Sequence, residues 1–89
     1  MWRTIKATAL LDESLPLFRE IGFKYDLAFA LIIQGNVAYE QGNSGRATAL
    51  YAESLALQKE MGDKWGIASS LNRLGNVAHE RGEIGRAHV

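Results

Sequence analysis

The sequence predicts an all-α fold, and three observations lead there. Residues 9–48 and 49–88 repeat one another without a gap at a spacing of 40, identical at 20 of the 40 aligned positions. Between glycines, apolar residues recur at three- and four-residue steps rather than in alternation. Ala, Leu, Glu, Lys and Arg, all good helix formers, dominate those stretches. A unit of this kind cannot bury its own apolar face and is built to stack on its neighbour. The 89 residues therefore read as a single repeat domain, 1–89, made of two units in permuted phase.

Four helices are expected, at 2–21, 25–41, 44–61 and 64–81, followed by a truncated C-terminal turn. The first carries the stripe Leu11, Ser14, Leu15, Phe18 and Ile21. Pro16 stands where the second unit has Ala56. It removes a hydrogen bond and crowds the carbonyl of Asp12, so the helix is expected to kink there and continue. Gly22 is expected to break the chain before the second helix, which ends at the turn Gly42-Asn43-Ser44-Gly45, with Asn43 or Ser44 as the next cap. The third helix has Ala47, Leu50, Tyr51, Ser54, Leu55 and Met61 on one face. Gly62 suits a left-handed stop and Asp63 suits the cap that follows. The fourth helix aligns Ile67, Ala68, Leu71, Leu74, Gly75 and Ala78, and Gly82-Glu83-Ile84-Gly85 turns the chain again. Short loops make sequential helices antiparallel neighbours.

The pattern Leu71-x-x-Leu74-Gly75-x-x-Ala78-x-x-x-Gly82-x-x-x-x-Ala87 resembles the tetratricopeptide repeat. The first copy shows Leu31, Gly35, Ala38, Gly42 and Ala47, with Tyr51 at the aromatic position. Gly35 and Gly75 let paired helices approach closely, and Ala47 and Ala87 are the small residues they meet. The period of 40 exceeds the usual value of about 34, which is similar to the longer-helix variant in kinesin light chains and the sensor arms of bacterial regulators. Gln34 replaces the leucine before Gly35, a departure that weakens one packing contact. HEAT and armadillo repeats share the period but not this Leu-Gly…Gly…Ala spacing.

The resemblance implies an α-solenoid of antiparallel helix pairs whose first helices line a concave groove for a peptide or a helix. The groove positions are Phe29, Ile32, Asn36, Tyr39 and Glu40 in one copy, and Ser69, Asn72, Asn76, His79 and Glu80 in the next, with Arg73 beside them. Asn36 and Asn76 match the groove asparagine that, in this family, hydrogen-bonds the backbone of a bound peptide. An amide offers both donors and an acceptor for that task. The copies differ most at Phe29, Ile32 and Ile33 against Ser69, Asn72 and Arg73. An apolar patch on a groove is expected to receive an apolar side chain, of a peptide or of another copy.

Other functions find no support in the residues. Ten basic residues cancel ten acidic ones, leaving no basic stripe for nucleic acid. Cysteine is absent, and His79 and His88 are nine positions apart, so neither a metal nor another cofactor is expected. Glu40 and Glu80 sit on solvated faces, Ser14 and Ser54 fall on packing stripes, and no strand precedes a glycine loop, so no enzyme is expected. The longest apolar run, Leu27 to Ile33, has seven residues and cannot span a membrane. Asp12 and Glu13 interrupt any signal-peptide core, and the plain expectation is a cytoplasmic protein.

The repeat phase adds one further expectation. The chain starts and stops within helix pairs, so its two ends present complementary open surfaces. Trp2, Ile5 and Leu10 on one side, and Leu74, Ile84 and Val89 on the other, are the self-association candidates. A protein-interaction module is thus the leading reading. The alternatives are a self-assembling homo-oligomer, stacked head to tail or swapped, and a fragment of a larger bacterial regulator's repeat array.

Overall fold

The computed structural model describes the backbone of residues 2–82 and the side chains from residue 13 onward. The described residues are all helical and contain no strand: α1 (Trp2–Glu40), α2 (Ser44–Met61) and α3 (Lys64–Glu80). α2 packs against both of the others. No described helix is long and apolar enough to cross a membrane.

Local chemistry sets both turns. Gly42 takes a φ of 79°, and the Asn43 side chain then accepts the Arg46 N–H at 3.1 Å, capping α2. At the other end Gly62 is left-handed, with a φ of 66°, and the Asp63 N–H donates to the Gln58 carbonyl at 2.9 Å. Asp63 Oδ1 accepts the Gly66 N–H at 3.1 Å and starts α3. These caps stand where the sequence places them, and α2 has the expected bounds.

The first half of the chain departs from expectation. The helices expected at 2–21 and 25–41 are one helix of 39 residues that runs through both Pro16 and Gly22. The repeat itself explains why the second break forms and the first does not. Glu20, Gly22 and Lys24 are identical to Glu60, Gly62 and Lys64, but Phe23 replaces the capping Asp63, and Asp26 replaces Gly66. Phe23 has no side-chain acceptor for the next helix's free N–H groups. A Cβ at position 66 would run into the Asp63 carboxyl and the Gln58 side chain, so Asp26 is ill suited to that tight turn. With no cap to start a new helix, Gly22 stays helical, and the Glu20–Lys24 pair at 3.9 Å bridges it along one face.

The consequence is an extended molecule. Its radius of gyration is 19.0 Å, against about 12 Å for a compact domain of this length. Leu17 and Ile21 of α1 border a hollow with Glu60 and Met61 at the end of α2, and the N-terminal half of α1 runs on past them, with Leu15, Leu17, Phe18 and Ile21 exposed. Trp2, Ile5 and Leu10 lie on this projecting part, with side chains outside the described set; Ile84, Val89 and the expected C-terminal turn also lie outside the described residues.

The core lies where α1 and α3 meet α2. Leu31, Ala38, Ala47, Leu50, Tyr51 and Val77 form it, with Ile32, Tyr39, Leu57 and Leu74 packed around them. Leu74, expected at an open end, is therefore part of the internal packing. Gly35 marks a close approach of α1 and α2: a Cβ there would lie 2.6 Å from Tyr51 Cε1. Gly75, its counterpart, meets nothing within 4 Å among the described residues.

Gly35→Ala is expected to destabilise the fold by about 1–2 kcal/mol, because overpacking against the buried ring outweighs the helix propensity gained. Urea unfolding followed by circular dichroism measures it. An unchanged or raised midpoint contradicts the close contact.

Candidate binding groove

The expected groove residues come from α1 and α3, which flank α2 on adjacent sides. A hollow of about 110 Å³ opens between them, lined by Asn36, Tyr39, Tyr51, Arg73, Asn76 and Val77. Four of these six were legible as groove positions; Tyr51 and Val77 were not, because both also belong to the core.

Asn36 is the centre of the polar arrangement. Its Oδ1 accepts from Tyr51 Oη at 2.6 Å and from Arg73 Nη1 at 2.8 Å. Arginine can only donate, so the amide atom facing it must be the oxygen. One side chain of α1 thereby ties α2 to α3. Its Nδ2 group has no hydrogen-bond partner among the described residues. Asn36 thus keeps a donor free, but its acceptor is already engaged.

Asn76, by contrast, is exposed on the hollow with no partner among the described residues, so both functions of its amide face outward. The two asparagines, equivalent by repeat, are not equivalent chemically. Arg73 adds an unusual feature: its Nε is buried and lacks a hydrogen-bond partner among the described residues. The Nη1 bond to Asn36 fixes the guanidinium beside the hollow.

Tyr39 closes the other edge. The Glu80 carboxylate beside it, as a hydrogen-bond acceptor first and as a negative charge, raises the Tyr39 phenol above its ordinary value of 10.0, and burial adds to the shift. Tyr39 lies on α1 and Glu80 ends α3, 41 positions later, so the contact joins the first helix to the third. Val77 supplies an apolar floor.

The remaining expected residues spread further. Ile32 packs against the core cluster, while Phe29 is exposed. Ile33 lines a separate hollow with Gln34, Val37, Ala38, Gln41 and Arg46. The apolar patch expected at Phe29, Ile32 and Ile33 is therefore not a single surface: one member is inside the fold and another borders a different depression. Glu40, Asn72 and His79 are exposed, and Ser69 is half-buried.

Comparison with family models, curated proteins and solved structures returns no match for this chain.

Asn36→Ala leaves Tyr51 Oη and Arg73 Nη1 without their acceptor, and a loss of about 2 kcal/mol in unfolding free energy is expected. A stability equal to the parent's contradicts the structural role of this residue. A second expectation concerns alkali. The raised Tyr39 value means that its contribution is fully present below the unfolded value near 10.0 and is lost as pH rises through the higher folded one. Ultraviolet titration should show a late phenolate step that Tyr39→Phe removes and Glu80→Gln moves back towards 10.0.

Proposed function

We propose that this chain is a non-enzymatic protein-interaction module, a short tetratricopeptide-type α-solenoid that holds an extended peptide along the α1–α3 hollow. The observation that carries this reading is the pair of unpartnered amides, Asn36 Nδ2 and the whole of Asn76, beside a fixed guanidinium and an apolar floor. An extended backbone presents alternating donors and acceptors, and this arrangement offers complements to both. The acceptor on the Asn76 side takes a peptide N–H; the donor on the Asn36 side takes a carbonyl. Tyr39 walls the site.

Self-association is a second reading. Its support is the exposed apolar residues of the projecting half of α1, Leu15, Leu17, Phe18 and Ile21, which no described residue buries. A stripe of that size usually marks an interface.

Screening an array of overlapping peptides, then measuring the best binder by fluorescence anisotropy, tests the peptide reading. Asn76→Ala is expected to weaken binding by roughly tenfold, the equivalent of losing one or two hydrogen bonds in a desolvated site. Binding that is indifferent to Asn76→Ala, or no binder in the array, contradicts it.

A further inference from the structure

The two copies of the repeat differ in what covers them. α3 is covered by α2: Val77 is 2 % exposed, and Ser70, wholly buried, donates from Oγ to Gln58 Oε1 at 2.6 Å. Forty positions earlier stand Val37, Ala30 and Phe18. Val37 is the same residue type in the same place, yet it is 48 % exposed. Ala30 is exposed as well, and Phe18 is 66 % exposed where Gln58 is 3 %.

The pair at these positions has changed on both sides together. Gln58 and Ser70 are two polar groups joined by a hydrogen bond in a buried place, where an unmatched one would be destabilising. Phe18 and Ala30 are a large and a small apolar residue, which suit one another in the same kind of contact and gain nothing from facing water. The matched change implies that residues 18 and 30 meet. Within the chain as folded they cannot, because α1 runs straight through Gly22 and carries Phe18 away from Ala30.

We propose that two copies exchange these segments. Residues 14–21 of each α1 lie on the Leu27–Ala30–Val37 face of the other copy, with Phe18 seated against Ala30 as Gln58 is against Ser70. The occupant is a second copy, and not the chain's own N-terminal half folded back, because the turn that would fold it back lacks its parts. Gly62 is left-handed, Asp63 caps, and Gly66 leaves room for that cap; Gly22 is helical, Phe23 has no acceptor, and Asp26 carries a side chain. The face also adjoins the seam that α1 already makes with α2, since Val37 borders the same hollow as Ala38 and Arg46. Docking there extends an existing interface. The exchange is reciprocal, so it closes as a two-fold dimer and does not grow into a filament. It deepens the self-association reading and is independent of the peptide groove.

The natural absence of cysteine makes the test direct. Light scattering over a range of concentrations should give about twice the chain mass of 9.8 kDa. Mixing Phe18→Cys chains with Ala30→Cys chains under mild oxidation should give a disulfide-linked pair on a non-reducing gel. Phe23→Asp restores the cap and should raise the dimer dissociation constant by about tenfold or more with helicity retained. Gly22→Ala, which disfavours a left-handed turn, should leave the dimer intact. A monomer at every concentration overturns both the proposal and self-association. A dimer that forms no bond between positions 18 and 30 overturns this interface alone. A monomeric double variant with an internal disulfide between positions 18 and 30 overturns the exchange in favour of a closed hairpin.

Discussion

The ring of Tyr51 against Gly35 is the contact on which the rest depends. Without a side chain at position 35, α1 and α2 approach closely enough for the ring to lie on the α1 backbone, and its hydroxyl then reaches Asn36 on the next residue. Asn36 in turn receives Arg73 from α3. One close approach thus sets the spacing of the first helix pair, and the hydrogen bonds built on it fix the third helix. Burial of Leu31, Ala38, Leu50 and Val77 around this point supplies the non-directional part of the stability. The buried Ser54 and Gln58 are satisfied in the same spirit, by the Ala28 carbonyl and by Ser70.

The hollow is a by-product of that arrangement, which explains its mixed character. Tyr51 and Val77 line it because they are core residues whose edges reach the surface between α1 and α3. Asn36 has two tasks at once, and its carbonyl oxygen is committed to the fold while its amine faces the hollow. Asn76 lacks that commitment because its described neighbourhood contains no equivalent of Tyr51. Two residues that are identical in sequence therefore present different chemistry to the hollow.

Much of the fold was legible in the residues because its signals are local. The helical period, the left-handed glycines and the caps Asn43 and Asp63 act within a few positions of themselves, and α2 and the start of α3 follow directly. The continuity of α1 was harder to read, since Gly22 is identical to Gly62 and invites the same turn. The decisive signal was the neighbour: Phe23 where the working turn has Asp63. A glycine permits a left-handed stop but does not require one, and the cap decides. Of the hollow, Asn36, Tyr39, Arg73 and Asn76 had been placed on one face by the resemblance to the tetratricopeptide repeat. The partition of Phe29, Ile32 and Ile33 among different surfaces was not, because a few tens of degrees around a helix separate buried from exposed. Tyr51 was read as a packing residue, and its hydroxyl could not be assigned a partner fifteen positions away from sequence alone.

Tyr51 and Arg73, on different helices, are joined through the one oxygen of Asn36. A double-mutant cycle of Tyr51→Phe and Arg73→Met, read by urea unfolding, tests it most directly. Both substitutions keep most of the apolar bulk and remove only a donor. A coupling energy of at least about 0.5 kcal/mol is predicted for two donors sharing an acceptor; effects that simply add contradict the account.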